Sequence, residues 1–213
     1  VDNVFATPIY QKPLTLGADM VVYSTTKYFD GQGRTLGGAI LGGKALLEEK
    51  ILPFHRHTGP ALSPFNAWVI LKGLETLPMR MERHTSNATA IAELLEGHSA
   101  VEQVLYPALK SFPQAALQRA QATGGGGLIA LTLKGGKAAA FKFLNALSII
   151  AISNNLGDAK SLATHPATTT HSNLTPEARA AVGISDGMVR LSIGLESIAD
   201  LKRDIETALK AIA

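Results

Sequence analysis

The stretch Ala18-Asp19-Met20-Val21-Val22-Tyr23 runs directly into Ser24-Thr25-Thr26-Lys27. Its core is apolar and β-branched, and it ends abruptly on hydroxyls. That pattern predicts a strand buried in a sheet. A second short run, Leu36-Gly37-Gly38-Ala39-Ile40-Leu41-Gly42, predicts another strand, with glycines where backbones pack closely. The polar turn Asp30-Gly31-Gln32-Gly33-Arg34 lies between them. Strands of this kind, alternating with helical stretches, place the chain in the α/β class.

Composition agrees. Of 213 residues, 46% are hydrophobic and 17% charged, enough for a core and too little charge for a disordered chain. The formal net charge of +3 is dispersed in ones and twos, which leaves no nucleic-acid footprint. Cysteine is absent, so disulfides, thiolate metal sites and cysteine nucleophiles are excluded together. No apolar stretch reaches the roughly 18 residues of a membrane helix, and no basic-then-apolar leader opens the chain. The expectation is a soluble cytoplasmic protein. Val1-Asp2-Asn3-Val4-Phe5 reads like a strand already in progress, as though a longer protein preceded it.

Further along, 44–50 predicts a short helix. Ser63-Pro64 has the form of an N-cap followed by proline at the first helical position, opening a helix to about Glu75. Trp68 is expected in the core with Ile70 and Leu71. A long helix follows from Pro78 to about Leu95, closed by Gly97, with Met81, Ala88, Ile91, Ala92 and Leu95 on an apolar stripe. It is a plausible bridge between a first domain, 1–85, and a second, 86–213. In the second, strands are expected at 101–105, 128–133, 149–152 and 188–193. Helices are expected at 113–121, 136–147, 175–181 and 197–212, the last capped by Ser197. Four glycines at 124–127 precede a strand; such a run can seat a ligand, but a flexible strand entry is the commoner use.

A lysine just past the C-terminal end of a strand sits where α/β sheets bind ligands. Ser24 and Thr26 could donate to a phosphate while the Lys27 amine stays free to bond a carbonyl. Pyridoxal phosphate needs such a lysine, phosphate donors and an acid facing its ring nitrogen. Asp2 is the candidate acid. Read alone, Ser-Thr-Thr-Lys equally describes a strand end with a surface lysine.

The wider sequence is more specific. Residues 1–38, together with 153–171 (SNNLGDAKSLATHPATTTH) and 189–209 (VRLSIGLESIADLKRDIETAL), resemble the cystathionine γ-synthase/cystathionine γ-lyase family. These are the Cys/Met-metabolism enzymes among fold-type I pyridoxal phosphate proteins. The resemblance implies the end of a large, mostly parallel-sheet domain followed by a small α+β C-terminal domain. It implies that Lys27 bonds the cofactor aldehyde and later serves as general base. Ser24 and Thr26 would hold the phosphate, Asp2 would face the pyridinium nitrogen, and Arg190 would clamp the substrate α-carboxylate with its planar fork. Asn155 would lie near the same carboxylate, where many relatives carry serine.

Val4, Gly33-Arg34 and Asn154-Asn155 depart from the commonest pattern and resemble the O-succinylhomoserine sulfhydrylase branch. That branch makes homocysteine from O-succinylhomoserine and sulfide, a step of methionine biosynthesis. The rival readings are cystathionine γ-synthase, a γ-lyase, or an inactive fragment, since the family's N-terminal half has no counterpart here. The implied partners are a small amino-acid substrate, sulfide, the N-terminal half and further copies in a dimer of dimers; nucleic acid and membrane are not expected. No metal is expected, because His55 and His57 in a loop-like segment, and His165 and His171, lack a third ligand at useful spacing. His165 is expected near the substrate entrance, and Tyr23 and Tyr28 as packing residues.

Overall fold

A computed structural model describes residues 1–212. The elements in order are α1 (Thr7–Tyr10), β1 (Met20–Ser24), β2 (Gly38–Gly42), α2 (Lys44–Leu46), α3 (Leu52–Thr58), α4 (Pro64–Glu75), α5 (Leu77–Leu95), β3 (Val101–Leu105), α6 (Ala115–Gln121), β4 (Leu128–Leu133), α7 (Gly136–Ala146), β5 (Ala151–Ile152), β6 (Leu162–Thr164), α8 (Pro176–Ala181), β7 (Met188–Ser192) and α9 (Ile198–Lys210). None of the described helices is long and apolar enough to cross a membrane.

Two sheets form. β1 and β2 pair antiparallel, with Tyr23 opposite Ala39 and Ser24 opposite Gly38. Among the described residues, parallel pairing reaches β1 only at an isolated bridge between Asp2 and Val22. The second sheet has five strands in the order β3-β4-β7-β6-β5, antiparallel except for β5 beside β6. Its main core joins Ile129 and Leu131 of β4 and Leu191 of β7 to Ile91 of α5, Phe143 of α7 and Ile205 of α9. A separate small cluster gathers Val4, Tyr28, Leu77, Met81 and Leu156. The long helix α5 contributes to both clusters because its apolar stripe runs its full length.

Several expectations need correction. Trp68 is 56% exposed and Leu71 is 58% exposed, whereas Ile70 is buried. The α4 face that carries Phe65, Trp68 and Leu71 therefore lies open to solvent rather than in the core. The segment expected as a short helix continues through a π turn at 47–51 into α3, so His55 and His57 are helical rather than in a loop. Pro53 lies just after the π turn, at the second position of α3. Strand β6 was not anticipated: three residues between polar turns are too short to show alternation. Ser63 caps α4 by accepting from Asn66 N–H at 3.1 Å. Ser197 occupies the N-cap position of α9, but its side chain makes no cap bond.

The four glycines are not a loose entry: tyrosines pack directly on three of them. A Cβ on Gly124 would lie 2.5 Å from the Tyr10 ring, one on Gly125 2.7 Å from the Tyr106 ring, and one on Gly127 2.8 Å from the Tyr28 hydroxyl. Three tyrosines close on a backbone stripped of side chains. Tyr10 and Tyr106 then anchor to α5, through Met81 O at 2.9 Å and Thr89 Oγ1 at 3.0 Å.

Candidate active site

At the end of β1 the chain turns sharply. Lys27 N–H donates to Ser24 O at 3.3 Å and Gly31 N–H to Lys27 O at 2.8 Å. Thr26 Oγ1 accepts from Gly37 N–H at 3.1 Å, tying the turn to the entry of β2. Behind it, the buried Arg80 guanidinium of α5 donates to Tyr28 O and Gly73 O, each at 2.7 Å, and to Thr76 Oγ1 at 3.0 Å. Gly157, at φ +74°, presses on the same peptide; a Cβ there would sit 2.8 Å from Tyr28 N. The lysine's backbone is thus held from three directions.

The Lys27 side chain reaches across to the second half of the chain. Its Nζ donates to Asn155 Oδ1. Arg190, on β7, donates through Nη2 to Asn154 O at 3.0 Å and Asn155 O at 3.2 Å. One asparagine therefore links both cations, by its side chain to the amine and by its carbonyl to the guanidinium. Among the described residues neither cation forms an ion pair with a carboxylate. Burial lowers the Lys27 pKa below that of a free lysine, and the positive Arg190 lowers it further. Burial also lowers that of Arg190, which stays charged.

Asp2 approaches from the other side of β1. Asn3 N–H donates to Val22 O at 3.1 Å and Val22 N–H to Val1 O at 2.8 Å, setting Asp2 beside Val22. Parallel partners share a face, and side chains repeat every second residue, so Asp2, Val22 and Ser24 point to one side. Asp2 Oδ1 accepts from Val4 N–H at 3.0 Å and the carboxylate is otherwise exposed. Buried Asn3 fixes this corner, its Nδ2 within reach of Thr7 O (3.2 Å), Gln11 O (3.0 Å) and Tyr23 Oη (3.0 Å). Thr7 holds φ +58°, a strained conformation for a β-branched residue.

The structure therefore brings Lys27, Asn155 and Arg190 into direct contact and places Ser24 and Thr26 on the same turn. It sets Asp2 against the middle of the strand, without a bond to the other three. An apolar groove of about 660 Å³, lined by Val22, Tyr23, Ile40, Ile51 and His55, includes none of Lys27, Asn155 and Arg190. His165 is buried, with Nε2 2.8 Å from Asp186 O and Nδ1 2.9 Å from Thr168 Oγ1.

Sequence reasoning passed over Arg80, Gly157 and Asn3. Arg80 had a signal: a cation on the apolar stripe of Leu77, Met81 and His84 must find buried acceptors. Gly157 had none, since its partner lies 129 residues away.

Residues 1–210 match the family described as Cys/Met metabolism PLP-dependent enzyme. The chain belongs to that family. Over 213 residues, 98% of this chain, it is 54% identical to O-succinylhomoserine sulfhydrylase of Mycobacterium tuberculosis strain H37Rv, covering 52% of that protein. It is 49% identical to L-methionine gamma-lyase of Pseudomonas putida, covering all of this chain and 54% of the relative. Cystathionine gamma synthase from Xanthomonas oryzae pv. oryzae, solved with aminoacrylate and cysteine, superposes with a TM-score of 0.96 at 45% identity over all of this chain and 55% of that one. The chain spans about half the length of the relatives it matches.

Family members depend on pyridoxal phosphate, and the residues present suit it. Two cations without carboxylate partners favour an anionic cofactor and an anionic substrate. The Lys27 amine, depressed in pKa, is prepared to bond an aldehyde. Ser24 and Thr26 precede Lys27 on the same turn, and an exposed acid stands on the same sheet face as Ser24.

Proposed function

We propose that this chain carries the lysine side of a γ-replacement site, in which O-succinylhomoserine and sulfide become homocysteine and succinate. The observation that carries the reading is the contact set Lys27–Asn155–Arg190: an amine and a carboxylate fork, held at one point by one asparagine. In this reading Ser24 and Thr26 bind the cofactor phosphate and Asp2 keeps the ring nitrogen protonated. The cofactor, when bound, supplies an electron sink for negative charge at the substrate's Cα and Cβ. Arg190 orients the α-carboxylate by charge-assisted hydrogen bonds from its guanidinium. Lys27 Nζ removes the Cα proton, and its lowered pKa leaves more of it neutral than an ordinary lysine. A Cβ proton is lost as the Cγ–O bond to succinate breaks, a Cγ–S bond to sulfide then forms, and protons return to Cβ and Cα.

The choice of sulfide rests on similarity: the relatives at 54% and at 49% from Pseudomonas aeruginosa are both named O-succinylhomoserine sulfhydrylase. The methionine gamma-lyase and cystathionine gamma synthase relatives favour a second reading, with the same lysine chemistry and either elimination or another acceptor in place of sulfide. Turnover by the full-length enzyme decides between them. O-succinylhomoserine should react faster with sulfide than with cysteine, and faster than O-acetylhomoserine does. Preference for cysteine, or cleavage of methionine as the main activity, would replace the sulfhydrylase reading.

We further read residues 1–85 as the closing part of the cofactor-binding domain and 86–213 as the small C-terminal domain, in a cytoplasmic homotetramer. The main core cluster, drawn wholly from the second part, supports the division. The exposed Phe65, Trp68 and Leu71 are apolar surface that assembly would cover.

A further inference from the structure

Behind the candidate site lie two buried nitrogens without hydrogen-bond partners, Arg190 Nε and His84 Nε2, together with the buried Tyr28 Oη, which lies near Gly127 N–H and the Ser192 hydroxyl. Their hydrogen-bonding characters are complementary. Arg190 Nε can only donate. His84 Nδ1 stands 2.6 Å from Ile193 O, so Nδ1 carries the proton and Nε2 is left as an acceptor. Tyr28 Oη can accept from one and donate to the other. The Tyr28 and His84 rings meet edge-on, with centroids 5.2 Å apart at 79°. Gly127 leaves the slot open, since a Cβ there would lie 2.8 Å from Tyr28 Oη and 3.3 Å from His84 Cβ. Tyr28 and Arg190 also rest on the same loop: a Cβ on Gly157 would lie 3.2 Å from Tyr28 Cδ2, and residues 154 and 155 accept from Arg190. Tyr28 and His84 are 1% and 0% exposed, so no bulk water satisfies these atoms. Orphaned buried donors and acceptors are costly, and proteins resolve them by direct bonds or by a bound water.

We infer that Arg190, Tyr28 and His84 form one buried chain, closed by bound water where the side chains do not touch, that fixes the Arg190 guanidinium from behind and leaves its outer edge for a carboxylate. Tyr28 and His84 are then positioning residues for substrate binding, acting through Arg190. The inference rests on the reading of Arg190 as the carboxylate clamp. It assigns Tyr28, next in sequence to Lys27, a task distinct from packing.

The test uses the full-length, cofactor-loaded enzyme and its Tyr28→Phe variant, which keeps the ring and removes only the hydroxyl. Binding of the α-amino acid substrate is compared with that of the corresponding amine lacking the carboxylate, by calorimetry, alongside KM and kcat. The expected result is about a five- to tenfold weaker amino-acid affinity and a similar rise in KM. The amine should bind unchanged, and kcat should change far less than KM. In an Arg190→Ala background, Tyr28→Phe should add nothing. Equal weakening of amino acid and amine, or an unchanged amino-acid affinity, overturns the chain. If Tyr28→Phe fails to fold, His84→Asn, whose amide can still donate to Ile193 O, gives the same comparison. A wild-type enzyme that binds neither compound would instead overturn the proposed function.

Discussion

Gly157 shows how much of this site depends on single atoms. At φ +74° and pressed on the Lys27–Tyr28 peptide, it has neither the conformation nor the room for a side chain. Gly157→Ala is expected to destabilise the fold by about 1–3 kcal/mol and to shift the lysine. Thermal unfolding and turnover should both fall; an unchanged pair of values would mean that the peptide has slack. Asp2→Asn makes a different prediction. A neutral amide cannot balance a pyridinium, so the variant should release cofactor more readily and slow α-proton removal while unfolding at nearly the same temperature. Dialysis followed by absorbance of the retained cofactor checks this. Undiminished retention would remove Asp2 from the site.

At the level of elements, α5 organises the site although none of its residues is proposed to touch cofactor or substrate. Its Arg80 satisfies carbonyls from the turn after Lys27 and from the end of α4. Arg80→Met would leave Tyr28 O and Gly73 O without that donor, and should cost about 2–4 kcal/mol in chemical denaturation. A loss under about 0.5 kcal/mol would show the clamp to be redundant. The sequence exposed those features that are periodic or local. The stripe of α5, the strand before Lys27 and the Ser63 cap were legible because each is written within one continuous stretch of sequence. Strand β6 was not, being three residues whose pairing is decided by β7. Trp68 misled because an apolar residue among apolar neighbours reads as core, whereas the α4 face bearing it has no partner among the described residues. Lys27, Ser24, Thr26, Asp2, Asn155 and Arg190 could be named from motifs. That Asn155 holds the lysine amine as well as the arginine could not, because the contact spans 128 residues.

For the molecule as a whole, Tyr10 and Tyr28, seated on the glycines at 124–127, and the contacts of Asn155 tie the first part of the chain to the second. His84 lies in that seam, wholly buried, and burial holds its pKa below the ordinary 6.5. The unfolded chain therefore binds a proton at this histidine more readily than the fold does. Its contribution to stability is full above about pH 6.5 and falls as the pH drops below that value. Wild type should lose more unfolding temperature between about pH 7 and 5 than His84→Asn does. Parallel pH profiles would show that the seam does not sense the proton. The central claim, that the amine at the end of β1 is the one that holds the cofactor, has a more direct test. The full-length enzyme is loaded with pyridoxal phosphate, reduced with borohydride and mapped by peptide mass spectrometry. The account predicts one reduced cofactor adduct, on Lys27; an adduct on another lysine, with Lys27 unmodified, would contradict it.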